Sequence, residues 1–169
     1  MDVPPAASPK RGRGPMIWVI AAIAVGGCCV LILPAVLLPV FVQAKENKAR
    51  SDCSHYMRQM GETMSLYAAD FDDHLPPADW MDSTYRHMPR EKFLHCPAVG
   101  TDEYGYALND ELVGRSRSEI KDANTPMVFD STLTGRNAVG ELDTLPNPGR
   151  HLKTNHLVTV DGSVVVVSD

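Results

Sequence analysis

The chain has 169 residues, 44% of them hydrophobic, and a formal net charge of −5 at pH 7. That length suits one domain with room for an added segment. Residues 43–169 hold 20 Asp and Glu against 13 Lys and Arg, and no Lys/Arg cluster interleaves with aromatics, which excludes a nucleic-acid partner.

Residues 1–15 are rich in Pro, Ala and Gly, with Lys10, Arg11 and Arg13 near the end. The segment is too short and polar to fold alone and is predicted to be a disordered cytoplasmic tail, the basic flank setting the orientation. Residues 16–42 contain no Asp, Glu, Lys, Arg or His. A hydrocarbon core needs about 20 such residues as helix, so a retained, single-pass transmembrane helix is predicted, with Pro34 and Pro39 as bend points. Two other readings stand beside it. A cleaved signal peptide could end at Val42-Gln43-Ala44, but its apolar region would be far shorter. A lipoprotein signal could end at Gly27 with Cys28 acylated, but uncharged and mostly apolar residues continue to Val42.

Beyond Gln43 the polarity changes while the helical signal continues. Cys53, Met57, Met60, Met64, Tyr67 and Phe71 recur at spacings of four and three, one apolar stripe of an amphipathic helix. Asp70-Phe71-Asp72-Asp73-His74-Leu75-Pro76-Pro77 ends it. Short strands are predicted over 90–96, 103–108 and 127–130, a helical turn over 116–122 and a long loop over 135–148. Residues 156–160 and 163–167 are rich in β-branched side chains and flank Asp161-Gly162, a two-residue hairpin signal of type I′. The valine run over 164–167 predicts a strand covered on both faces. The fold class is α+β: a long N-terminal transmembrane-plus-amphipathic helix packed on a small antiparallel sheet. The domains are 1–15 tail, 16–42 span and 43–169 extracytoplasmic domain. Cys53 and Cys96 suit a disulfide in an oxidising compartment, the alternative being two buried thiols.

Several blocks together resemble a bacterial family. Leu37-Leu38-Pro39-Val40-Phe41-Val42-Gln43-Ala44-Lys45-Glu46, with Lys48-Ala49-Arg50 and Cys53 following, is similar to the helix of pilin-like and pseudopilin-like proteins of the type II secretion pseudopilin G group. Tyr67-Ala68-Ala69-Asp70 through Pro77, Phe93-Leu94-His95-Cys96-Pro97 and Tyr104-Gly105-Tyr106-Ala107-Leu108-Asn109 resemble further blocks. His151, nine residues, then Asp161-Gly162 resembles the family's C-terminal H-x9-D-G signature. The resemblance covers about residues 33 to 169. It implies a pilin-like fold, a structural or assembly role in a type II secretion or type IV pilus-like system, the bacterial inner membrane with the C-terminal domain extracytoplasmic, and the bilayer and other pilin-like or secretion-system proteins as partners. One part departs. No prepilin peptidase site precedes the apolar run, where Gly14-Pro15-Met16-Ile17-Trp18-Val19 stands, and no glutamate occupies the buried position. The expectation is therefore a permanently anchored relative. The competing function is a membrane-tethered binding or sensing domain on the same scaffold.

No catalytic residue or cofactor is predicted. No Gly-x-Ser-x-Gly motif or phosphate-cradling glycine loop is present, and neither Cys53 nor Cys96 has a local catalytic signature. His151, His156 and Asp161 offer metal-ligand chemistry, but the preferred reading is structural, with His151 bonding a loop and Asp161-Gly162 making the turn. Asp70, Asp72 and Asp73 could present oxygens to Ca²⁺. Their loop lacks the Gly and terminal Glu of an EF-hand, so solvated turn acids are preferred and no metal is assigned.

Overall fold

The computed structural model describes residues 14–168, with side chains given at Trp18 and from Leu37 onward. Residues 1–13 of the predicted tail, and the side chains of Cys28 and Cys29, lie outside the described residues. The chain divides into two units, Met1–Gln43 and Ala44–Asp169.

Helix α1 runs over Gly14–Asp70. Among the described residues no helix is long and apolar enough to cross a membrane. That overturns the transmembrane reading of residues 16–42, and with it the single-pass, inner-membrane placement. The reason is length. The run of described side chains from Leu37 to Val42 meets Lys45, Glu46, Lys48 and Arg50 within one turn or two, far short of a span. Most of residues 16–36 have side chains outside the described set.

In the second unit, α2 is Trp80–Thr84, and the strands are β1 Tyr106–Asn109, β2 Pro126–Asp130, β3 Val139–Gly140, β4 Thr154–Thr159 and β5 Val164–Ser168. They form one sheet in the order β3-β1-β2-β4-β5. β1–β2, β2–β4 and β4–β5 pair antiparallel, but β1–β3 is parallel. The sheet is thus mixed, which corrects the expected all-antiparallel, pilin-like sheet. β3 comes from the segment read as loop, and two residues are too few to show a period of two. The predicted strand over 90–96 is instead a 3-10 turn, Glu91–Leu94.

The three central strands, β1, β2 and β4, are buried on both faces for different reasons. Alternation along β1 and β2 turns Tyr106, Leu108 and Val128 toward the α1 stripe of Cys53, Met57, Met60 and Met64. Ala107, Phe129 and Leu157 face the other way, where Ala138, Leu145 and Val167 cover them. Val158 and Val160 join the helix side. Trp80, on α2, is fully buried and its Nε1 donates to the Ala138 carbonyl at 2.9 Å. Phe71, the last stripe position, is 43% exposed and stacks on Tyr67 instead of entering the core.

The C-terminal hairpin differs from the predicted type I′ turn. Gly162 alone has positive φ, +85°, and two bonds close the loop: Gly162 N to Thr159 O at 2.8 Å and Thr159 N to Ser163 O at 3.0 Å. This is a turn followed by a left-handed glycine bulge, and it sets Val158 opposite Val164 and Leu157 opposite Val165. Edge strand β5 leaves Val165 and Val166 at 40% and 43% exposure, so the valine run is not covered on both faces.

α1 meets this hairpin at Gly61. A Cβ there would lie 2.8 Å from Val158 Cγ2. Gly61→Leu is expected to push helix and hairpin apart and lower stability by about 2 kcal/mol, the scale of an overpacked core. Urea unfolding of the full chain followed by far-ultraviolet circular dichroism checks it, and a midpoint equal to wild type would refute the close approach.

Candidate functional site

Three elements and two connections bring five chemistry-bearing side chains together where α1 crosses β2 and β4. Cys53 stands on the α1 stripe one turn before Met57. Asp130 ends β2 two residues after Val128, so the pleat turns it to the helix side, opposite Tyr106. His156 precedes Val158 by two on β4 and shares its face. His151 sits in the turn entering β4, where His151 N donates to Thr154 O at 2.9 Å and Thr154 N returns to His151 O at 3.2 Å. Leu152 and Lys153 take positive φ of 55° and 63° to close that turn. A Cβ at Gly149 would meet Thr154 N at 2.6 Å, so the turn needs glycine there. Cys96 follows the Glu91–Leu94 turn and is tied down by its N–H to Tyr104 O at 2.8 Å.

The group is dry: Cys53 and Asp130 are 0% exposed, His156 1%, Cys96 and His151 2%. Asp130 is its centre. Its Oδ2 accepts the His156 backbone N–H at 2.7 Å and lies 3.5 Å from His156 Nδ1 and 3.8 Å from His151 Nε2, while Oδ1 lies 3.5 Å from Cys53 Sγ. Tyr106 donates its hydroxyl to Cys53 Sγ at 3.5 Å, and Cys96 Sγ is 3.4 Å from His151 Nε2. The rings of His151 and His156 meet edge to face.

Electrostatics divides these groups. Burial opposes ionisation of Asp130, but the neighbouring imidazoles of His151 and His156 and the His156 backbone N–H outweigh it and hold the carboxyl at about 2. Burial likewise opposes a charged His151, and Asp130 and Cys96 outweigh it, raising the imidazole to about 9. Burial pushes the Cys53 thiol up. The hydrogen bond from Cys53, with that of His151, pulls Cys96 down. Burial raises the Tyr106 phenol.

The arrangement is not a Cys-His-Asp relay. A relay needs the two imidazole nitrogens to face different partners. Here His151 Nε2 faces both Cys96 and Asp130, and the Cys96 sulfur is shut away from any substrate. The donors instead converge on one point: one donor atom each of Cys53, Asp130, His151 and His156 lies within 4.8 Å of the others.

Of the residues the sequence singles out, Cys53, Cys96, His151 and His156 meet in this cluster, whereas Asp161 and the acidic loop lie apart from it. Cys53 and Cys96 are both free thiols, which corrects the expected disulfide. Both stay thiols among polar groups of the cluster, Cys53 beside Asp130 and Tyr106 and Cys96 beside His151. Asp161 stays in the hairpin loop, where its carboxylate accepts from Ser163 N at 3.0 Å and Ser163 Oγ at 3.1 Å, and from the Thr159 hydroxyl. Of the acidic loop, Asp73 is taken by Arg117 Nε at 2.8 Å and Ser118 N at 3.1 Å, and Asp70 lies 3.5 Å from His87. Asp130 and Tyr106 were not singled out by the sequence. The signal for Asp130 is an acid ending an apolar strand after Pro126.

Compared with protein-family models, curated proteins and solved structures, the chain matches none.

The two titrations have opposite signs. Asp130 is depressed from 3.8 to about 2, so its contribution is present above 3.8 and lost as pH falls toward 2. His151 is raised from 6.5 to about 9, so its contribution is complete below 6.5 and lost as pH rises through 9. In chelator-treated protein the melting temperature should be highest between about pH 4 and 6.5 and fall by several degrees toward pH 9, on the order of 2 kcal/mol. Asp130→Asn should flatten that alkaline limb and cost about 3 kcal/mol at pH 6, since it leaves buried histidines without their counter-charge. Thermal melts across pH decide it; a limb of equal slope in the variant overturns the pairing.

Proposed function

We propose that the chain is a structural, non-catalytic assembly protein related to the pseudopilins, in which α1 associates with α1 of further copies. The observation that carries this reading is an apolar stretch left in contact with solvent: Leu37, Leu38, Val40, Phe41 and Val42 are 43%, 64%, 57%, 68% and 56% exposed. Five large apolar residues within six positions exceed the isolated exposed side chains normal on a protein surface. Covering each is worth about 1.5–3 kcal/mol when complete. A helix apolar around its circumference cannot bury itself against one neighbour, so several copies around one axis cover it better than a pair.

The sequence blocks from Leu37 to Cys53 and from His151 to Gly162 support the same reading, as does a site whose sulfurs and imidazoles are closed to substrate. The missing prepilin peptidase site bears on how such an assembly starts. A subunit that keeps residues 1–15 carries Lys10, Arg11 and Arg13 ahead of the apolar run, and like charges at one end oppose tight packing there. Short, defined oligomers are expected rather than long fibres.

Light scattering coupled to size exclusion on the full chain tests this. Wild type should elute as an oligomer, and Leu38→Asp with Phe41→Asp should shift it to monomer with unchanged circular dichroism from the 44–169 unit. A monomeric wild type, or an oligomer that survives both substitutions, would overturn the reading.

A further inference from the structure

We propose that Cys53, Asp130, His151 and His156 bind one divalent transition metal of the zinc class, in a closed tetrahedral site that fastens α1 to the sheet.

Four observations carry it. The first is convergence. A tetrahedral zinc site with bonds of about 2.0–2.1 Å to nitrogen or oxygen and 2.3 Å to sulfur has ligand atoms about 3.3–3.6 Å apart. Asp130 Oδ2 lies 3.5 Å from His156 Nδ1 and 3.8 Å from His151 Nε2, its Oδ1 lies 3.5 Å from Cys53 Sγ, and with one donor atom taken from each residue no separation exceeds 4.8 Å. A shift of each donor by about 1 Å or less, within rotamer adjustment of Cys53 and the two rings, brings the four to bonding distance.

The second is an orphan. His156 Nδ1 is buried and has no hydrogen-bond partner, in a site where buried polar atoms are normally satisfied. A metal gives that lone pair its partner.

The third is the donor set. One thiolate, two imidazoles and one carboxylate are too soft for Ca²⁺ or Mg²⁺, which take oxygen cages, and they match a borderline cation. Four protein ligands leave no position for water or substrate, the mark of a structural centre rather than a catalytic one.

The fourth is support around the ligands. The His156 backbone N–H at 2.7 Å orients the Asp130 carboxylate. The Tyr106 hydroxyl donates to the Cys53 sulfur. Cys96, 3.4 Å from His151 Nε2, stays outside the four and serves as a polar neighbour once that nitrogen turns to the metal. Such partners tune ligands and fix their orientation.

The experiment uses the full chain with zinc and cobalt as probes. Protein purified with zinc and dialysed should retain one equivalent by elemental analysis. Stripping with a strong chelator should lower the melting temperature by several degrees, and adding zinc should restore it. Cobalt(II) loading should give the intense visible bands of a tetrahedral ion and a thiolate-to-cobalt charge-transfer band in the near ultraviolet. Cys53→Ser should abolish that band and weaken zinc by more than the 10–100-fold that loss of an outer-shell partner costs, whereas Cys96→Ser should keep the band. The wild-type titration stands even if a variant fails to fold. No retained metal, an octahedral cobalt spectrum, a melting temperature unmoved by zinc, or a charge-transfer band that survives Cys53→Ser and disappears in Cys96→Ser would each overturn the proposal. The outcome is independent of oligomeric state, so failure of the assembly reading would leave it intact.

Discussion

A carboxylate with no access to water holds the second unit together. Removing Asp130 from solvent costs several kcal/mol unless charge and hydrogen bonds replace the lost hydration. The replacements come from every direction: the His156 N–H along the neighbouring strand, the His151 ring from the turn before β4, and the Cys53 thiol from α1. Each donor is set by a different structural requirement. The β2–β4 register brings the His156 N–H to Asp130, the left-handed residues Leu152 and Lys153 aim His151, and the phase of the α1 stripe presents Cys53. A one-residue slip in any of them would leave the charge uncompensated, so the buried acid selects one arrangement among those the apolar core alone would accept.

The loops outside the sheet serve the same end. Arg150 reaches across the base of the site, donating from NH1 to the Gly105 carbonyl at 2.8 Å and from NH2 to that of Ser131. The approach is close enough that a Cβ on Gly105 would stand 2.7 Å from the guanidinium, and Gly105 has φ of +74°. One side chain beside His151 therefore fixes the ends of β1 and β2, between which Tyr106 and Asp130 face each other. Asn155 adds a second tie, accepting from Arg150 N and donating to Pro146 O at 2.8 Å.

How much of this was legible follows from the kind of signal each part leaves. The helix stripe was readable because a period of 3.6 over about four turns is redundant: Cys53, Met57, Met60, Met64 and Tyr67 all prove buried. The hairpin was readable from Asp161-Gly162, although the loop type was not. Whether Asp161 adopts positive φ depends on its side chain, and here Asp161 stays in the ordinary region and spends its carboxylate on Thr159 and Ser163. β3 left no trace, since two residues have no period. The turn at Glu91–Leu94 was hidden because Phe93 and Leu94 are adjacent and both buried, which looks like strand. The disulfide was a reasonable inference from two cysteines in a small domain. A cysteine count carries nothing about the polar groups around each sulfur, and here both stay free thiols beside Asp130, Tyr106 and His151. Asp130 and His156 lie 26 residues apart in sequence and carry no spacing that a local pattern could flag.

That distance also explains why such a junction is accessible to a chain of this size. Closing a loop costs entropy that grows only with the logarithm of its length. Joining Cys53 to Asp130 spans 77 positions and joining Asp130 to His156 spans 26, a difference of about 1 kcal/mol. A long-range junction is thus little more demanding than a local one once the sheet exists. A disulfide would have closed one loop between two residues. The cluster ties α1, β2, the turn at His151 and β4 at one point, and its strength depends on the alignment of four elements rather than on one bond. The compact unit is held from inside by polar groups, and the exposed apolar residues of α1 lie outside it. The side chains that hold the fold and the exposed apolar side chains of Leu37, Leu38, Val40, Phe41 and Val42 therefore occupy different parts of the chain, and substitutions in the first set are the ones that act on the stability of the compact unit.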